Sequence, residues 1–253
     1  MNHPRRRMWR LEAHDLLPST SDVCRQRALE GGAPDGLAVL ARQQSSGRGT
    51  NGRTWRSPAG NLYLSVLLRP EEPARVAAQW SLLSAVAVAE TIAAHLPAQP
   101  DLALKWPNDV LLRGRKTAGI LTEMSARADG MLDYLVIGVG VNLAVAPGGT
   151  DRPTACLAEC APPPAPEAFA RSLLNAIDAW DAVRAREGFS AVRAAWLARG
   201  PVPGMPLQLR FGTEMRHGRF AGLAPDGGLL LATEAGVRAF AAGEVMAPQT
   251  GGG

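Results

Sequence analysis

Apolar and polar residues alternate from Trp9 to His14, with Trp9, Leu11 and Ala13 on one side and Arg10, Glu12 and His14 on the other, which predicts a half-buried strand. Ser19-Thr20-Ser21-Asp22 supplies helix-capping groups and predicts a short helix that stops at Gly31-Gly32. Leu37–Ala41 reads as a short apolar strand, and the polar stretch SSGRGTNGRTWRSPAG follows it. NLYLSVLL (Asn61–Leu68) is a mostly apolar strand, and the Ala-rich segment Pro73–Leu96, opened by Glu and Pro, predicts a long buried helix. Leu102–Trp106 and Val110–Leu112 are strand pieces broken by Pro107-Asn108-Asp109, and Arg113-Gly114 is a turn. Thr117–Met124 and Tyr134–Leu143 are further strands, joined through Ala128-Asp129-Gly130. A Pro-rich stretch, Ala161–Pro166, leads into helix over Glu167–Arg199. Gly200-Pro201-Val202-Pro203-Gly204 punctuates the chain strongly enough to mark a domain boundary. Beyond it, Leu207–Phe211, Arg216–Leu223, Leu229–Thr233 and Val237–Ala241 predict four short strands of a barrel of about 50 residues. The expected division is therefore residues 1–200, a small barrel at 201–247, and a disordered tail at 248–253.

Composition narrows the class. The 253 residues are 46% hydrophobic, enough for a sizeable core, and no uninterrupted apolar run reaches the ~18 residues that span a bilayer. The basic N-terminus has no apolar stretch behind its arginines, so it does not read as a secretory signal. Three cysteines, an odd number, point to reduced thiols and a cytoplasmic protein rather than a disulfide framework. Cys156 and Cys160 stand four apart without a nearby His and do not make a zinc site. The net charge of +4 is concentrated in residues 1–60, which carry 10 Arg against 5 acidic residues. That is either a solvated basic face or a site for an anion. The chain has 25 Arg and only two Lys, Lys105 and Lys116. Lys survives here where a compact, rotatable ammonium differs from a planar guanidinium.

Four segments carry candidate chemistry. Gly47, Gly49 and Gly52 spell G-x-G-x-x-G, but the loop runs into a strand instead of opening a helix, so a dinucleotide-binding fold is excluded. What remains is a glycine loop bearing Arg48 and Arg53, whose guanidinium groups can grip phosphate or carboxylate oxygens. An ordinary mobile loop has the same composition. In Lys105-Trp106-Pro107-Asn108-Asp109 the proline biases Trp106 to an extended backbone, and the three polar groups could bind a nucleotide with its Mg2+. On residue types alone this segment reads as a surface turn. In Arg115–Glu123, Lys116 opens an apolar strand and Gly119 marks close approach of a ligand. In VIGVGVNL (Val136–Leu143), Gly138 and Gly140 share one face of a buried strand that ends at Asn142, which is equally readable as a turn residue.

The order GRGTNGRTW, NLYLSVLL, KWPNDVLL, RKTAGILTE and IGVGVNL resembles the biotin–protein ligases, specifically over Pro18–Leu143 and weakly again at Ala242-Gly243-Glu244-Val245. The resemblance implies an α+β fold, a mixed sheet with flanking helices akin to class II aminoacyl-tRNA synthetases, followed by an SH3-like barrel. It implies a catalytic domain at 1–200 that joins biotin and ATP, with Mg2+, into biotinyl-5′-AMP. The biotinyl group then passes to one lysine of a biotin carboxyl carrier protein or domain of a carboxylase. Carried over by residue, Ser19, Thr20, Ser21, Gln44, Gly47, Arg48, Lys116 and Gly119 fall on biotin-side positions, with Lys116 and Arg48 at the reacting carboxylate. Arg53, Trp55, Lys105, Asn108, Asp109 and Asn142 fall on the ATP and adenylate side. No fixed metal site is implied, since Mg2+ travels with ATP.

Two positions depart from the family's pattern: Ser21 stands where Asn is common, and Thr50 where a third loop Arg is common. The Thr50 departure predicts weaker retention of the acyl-adenylate. No Lys or Arg follows Gly243, so a basic C-terminal contact to ATP is not expected. About 18 residues precede Ser19-Thr20, too few for a DNA-binding domain, so sequence-specific DNA binding is not expected, nor is membrane association. A monomer or weak homodimer is expected. The alternatives are a lipoate ligase or octanoyltransferase of the same fold, a degenerate inactive relative, and a nucleic-acid-binding protein using Arg5-Arg6-Arg7 and Trp55.

Overall fold

The computed structural model describes residues 7–97, 100–150 and 152–246, so the expected tail at 248–253 and Arg5-Arg6 lie outside the described residues. A seven-stranded mixed sheet forms the centre. Its strands are β1 (Arg10–Leu17), β2 (Leu37–Gln44), β3 (Leu62–Leu68), β4 (Leu102–Lys105), β5 (Asp109–Leu112), β6 (Arg115–Ala126) and β7 (Leu132–Val141). Their order is β1-β2-β3-β7-β6-β5-β4. Only β1 and β2 run parallel; every other neighbouring pair is antiparallel.

Helices cover both faces. The short helix α1 (Thr20–Leu29) buries Cys24 and Ala28 against Leu37, Val39, Leu67 and Val136. On the opposite face lie α2 (Ala77–Ala94), α3 (Pro166–Glu187) and α4 (Phe189–Leu197), around Trp80, Phe169 and Trp196. The predicted helix 167–199 is two helices because Gly188, at φ 75, takes a left-handed conformation that breaks it. The segment Ala74–Ala94 is long and apolar enough to cross a bilayer by length and composition. Gln79, Ser81, Ser84 and Glu90 interrupt its apolar pattern, and here it is the core helix, with Leu82 through Ala89 buried.

The C-terminal part is a five-stranded antiparallel sheet: β8 (Pro206–Phe211), β9 (Glu214–Leu223), β10 (Leu229–Thr233), β11 (Gly236–Phe240) and β12 (Glu244–Met246), in the order β11-β10-β9-β8-β12. The sequence pattern gave four strands; the fifth, β12, is only three residues long and has no visible periodicity. Its core residues Leu209, Phe220, Leu229 and Val245 belong to the same buried cluster as the central sheet. Trp106 fastens the two parts, donating from Nε1 to the carbonyl of Gly227 at 3.1 Å. The KWPND segment is therefore no surface turn: Trp106 is 3% exposed, and Lys105 pairs across the β4–β5 hairpin with Asp109.

Candidate active site

Two adjoining cavities open where the ends of β2, β5, β6 and β7 meet the Gly/Arg loop. The smaller, about 40 Å³, is walled by hydroxyl and amide groups. Ser19, Thr20 and Ser21 reach it from the first turn of α1, and all three are buried. Ser19 occupies the N-cap position but makes no capping bond. The backbone N–H of Thr20 instead donates to Gln44 Oε1 at 2.9 Å, which satisfies one of the orphan donors of a helix start. Thr20 Oγ1 lies 3.2 Å from the same oxygen and 2.7 Å from Ser65 Oγ, and Ser21 Oγ lies 2.9 Å from Ser65 Oγ. Gln44 Nε2 donates to Ser57 at 2.9 Å. The result is a connected set of groups that can both donate and accept.

The floor is made of glycines in register. Gly119 on β6 faces Gly140 on β7, and Ser65 on β3 faces Gly138. The indole of Trp55 lies on this floor: a Cβ at Gly119 would stand 2.9 Å from Trp55 Cζ3, and one at Gly140 2.7 Å from Trp55 Cζ2. Any side chain there would expel the ring. Gly47 lines neither cavity; a Cβ on it would stand 2.7 Å from Ser57 Oγ, so it packs the loop against its own return.

The larger cavity, about 330 Å³, has five basic side chains, Arg53, Arg56, Lys105, Lys116 and Arg152, against two carboxylates, Asp109 and Glu244. Asn108 and Asn142 are among its neutral polar groups. Both amides are oriented from their nitrogens: Asn108 Nδ2 donates to Ile120 O at 2.6 Å and Asn142 Nδ2 to Ala155 O at 3.1 Å. The oxygen Oδ1 of Asn142 is buried without a partner, an acceptor held ready for a donor. Lys116, Trp55, Asn108, Gly49 and Thr50 border both cavities.

The cations are held by acids. Arg48 bridges Asp22 on α1 and Glu123 on β6. Burial opposes its charge, yet these hydrogen bonds raise its pKa above the usual guanidinium value. Lys116 Nζ lies 2.5 Å from Asp109 Oδ1 and 5.3 Å from the centre of the Trp55 ring. Arg53 lies 2.8 Å from Glu244, which also pairs with Arg152 and Arg210. Burial, reinforced by the charge of Arg152, lowers Lys105 to about 8 against the pull of Asp109.

The sequence reading placed Ser19, Thr20, Ser21, Gln44, Gly47, Arg48, Lys116 and Gly119 on one side and Arg53, Trp55, Lys105, Asn108, Asp109 and Asn142 on the other. The cavities divide these residues in that way, except that Lys116, Trp55 and Asn108 border both and Gly47 lines neither. Ser65 and Arg152 were missed. Ser65 is the one polar residue inside an otherwise apolar strand, a signal that was available. Arg152 lies in an irregular segment with no pattern to read.

The profile of the biotin/lipoate A/B protein ligase family matches residues 14–142. The chain is 41% identical over 214 residues to the biotin–[acetyl-CoA-carboxylase] ligase of Paracoccus denitrificans, covering 82% of this chain and 89% of that one. It is 33% identical over 231 residues to the bifunctional ligase/repressor BirA of Bacillus subtilis, covering 89% and 70% respectively. Among solved structures it is similar to the biotin protein ligase of Aquifex aeolicus in complex with biotin and ATP. The TM-score is 0.79 at 27% identity, over 93% of this chain and 97% of that one. It also resembles the Leishmania major biotin protein ligase in complex with biotinyl-5-AMP, with a TM-score of 0.63 at 26% identity, over 92% and 98%.

Proposed function

The chain belongs to the biotin/lipoate A/B protein ligase family, and we propose that it acts through the two adjoining cavities as an ATP-dependent biotin–protein ligase. One observation carries the assignment of sides: a hydroxyl-lined cavity and a cationic cavity meet at Lys116 and Trp55. The first suits the ureido ring, whose N–H and C=O groups need partners at fixed geometry, and Thr20, Ser21, Gln44 and Ser65 supply them. The second cavity suits the nucleotide: the open acceptor of Asn142 for an adenine amino group, and the basic side chains for the phosphates.

The chemistry follows from the junction. A biotin carboxylate oxygen attacks the α-phosphorus of ATP, the bond to the β-phosphate oxygen breaks, and pyrophosphate leaves. Two anions must approach, so the work of the site is positioning and offsetting negative charge. Lys116 borders both cavities and stands where the carboxylate and α-phosphate meet, and Arg48 flanks the carboxylate side. In the second step an acceptor lysine amine attacks the acyl carbon, and AMP departs with the bridging oxygen. Mg2+ comes with the nucleotide as MgATP.

The acceptor is the biotin carboxyl carrier domain of a carboxylase. Residues 1–200 form the catalytic unit and 201–247 the small barrel. Free cysteines and the use of ATP support a cytoplasmic location. The edge strand β1 is available for pairing with a second copy, which suits a monomer or weak homodimer. The test is incubation with biotin, MgATP and a biotin-carrier domain, reading the mass gain on its lysine, with lipoate in place of biotin as control. Label on the carrier with biotin alone is expected; transfer of lipoate instead overturns the reading.

A further inference from the structure

The structure assigns Arg152 a role in binding the triphosphate of ATP, presented to the nucleotide cavity from the segment between β7 and α3. The inference rests on the ATP reading above. The backbone around Arg152 is fixed on both sides. Asn61 Oδ1 accepts from the N–H groups of Leu143, Ala144 and Val145 at 2.9, 3.0 and 3.0 Å, and so shapes the start of the segment. Arg56 donates to Gly148 O at 2.6 Å. Next to Arg152, Lys116 N–H donates to Pro153 O and Ala155 N–H to Lys116 O, both at 3.0 Å. Arg152 is thus anchored through the neighbours of Lys116, and its side chain, 22% exposed, turns into the cavity.

Its guanidinium is held there by carboxylates. Nη1 lies 3.5 Å from Asp109 Oδ2, and Nη2 pairs with Glu244. Asp109 is shared with Lys116, and Glu244 with Arg53 and Arg210. The contact to Asp109 is long for a charge-assisted bond, whereas phosphate oxygens accept the guanidinium fork at two points. A triphosphate brings more negative charge to these cations than the two carboxylates supply, so Arg152 can exchange partners with little backbone movement. Between Arg48 and Arg53, the Gly/Arg loop that borders the same cavity presents only neutral side chains, Thr50 and Asn51. Lys105, the other basic group deep in the cavity, is lowered to about 8 by burial and by Arg152 itself.

A purely structural role, in which Arg152 only ties β12 to the core through Glu244, makes a different forecast. The test compares the wild-type protein with Arg152→Gln and Arg152→Lys, binding tripolyphosphate and adenosine separately by calorimetry, with biotin-dependent ATP–pyrophosphate exchange alongside. Wild-type exchange establishes the ATP reading first; its absence overturns that reading and this proposal together. With exchange present, Arg152→Gln should weaken tripolyphosphate about tenfold and raise KM for ATP by a similar factor. Adenosine binding and KM for biotin should stay within twofold, and Arg152→Lys should lose less than Arg152→Gln. Unchanged tripolyphosphate binding, or equal weakening of tripolyphosphate and adenosine, overturns the proposal while leaving the enzyme's assignment intact.

Discussion

Arg53 Nη2 and Glu244 Oε1 lie 2.8 Å apart, so the Gly/Arg loop is bonded to the last strand of the C-terminal sheet. Glu244 is 6% exposed and serves Arg53, Arg152 and Arg210 at once. Glu244→Gln keeps the shape and removes the charge. The arginines are partly exposed and can be rehydrated, so the cost is about 1–3 kcal/mol of stability, not the larger penalty of a sealed pair. A lowered melting temperature and a raised KM for ATP, with KM for biotin little changed, are expected. A variant as stable and as ATP-competent as wild type would show that the contact is incidental.

Lys116 is the ammonium that reaches both cavities. Removing a preorganised charge from the place where charge develops costs roughly 10²–10³ in rate. Lys116→Ala should lose that much in pyrophosphate exchange while still binding biotin within a few-fold of wild type by calorimetry. Near-normal exchange in this variant would remove Lys116 from the chemistry.

Lys105 sets a pH dependence of opposite sign for stability and for nucleotide binding. Burial, then Arg152, holds it at about 8 in the fold against 10.5 in the unfolded chain. Between those values the unfolded chain binds more protons, so this residue makes stability rise with pH across that window. The penalty of burying its charge is fully present below about 8. ATP binding goes the other way, since the cation is lost above about 8 and KM for ATP should climb. Lys105→Arg, which does not titrate there, should flatten the climb. A wild-type KM for ATP that is constant from pH 7 to 9.5 would contradict this role.

Thr50 borders both cavities and is neutral. Thr50→Arg adds a guanidinium beside the bond between biotin and AMP, and the dissociation of biotinyl-AMP should slow by about tenfold. The measurement is release of labelled intermediate during a chase with unlabelled biotin and ATP. An unchanged release rate rejects the link between Thr50 and retention.

Many of the candidate residues sit at the ends of strongly patterned elements, so periodicity placed their elements, while their roles came from the resemblance to the biotin–protein ligases. Thr20 and Ser21 start a helix, Lys116 and Gly119 open a strand, and Asn142 closes one. Those positions are fixed by periodicity that the sequence displays. Long-range features were not legible. The pairing of Gly119 with Gly140 is a cross-strand register, set by partners far apart in the chain. The burial of KWPND depends on Gly227, a residue more than a hundred positions away. The fifth strand of the C-terminal sheet is too short to show alternation, yet it carries Glu244. Charge pairing was hidden for the same reason: Arg48 read as a free grip, but Asp22 and Glu123 hold it from two other elements.

The placement of Glu244 on β12 has a consequence for how the protein comes into being. The parts of the site are strung out along the chain, from Ser19 to Glu244, and synthesis delivers them in that order. Arg53, Arg152 and Arg210 emerge from the ribosome before their shared counter-charge does. Until residue 244 is out, Arg53, Arg152 and Arg210 lack the carboxylate that gathers them.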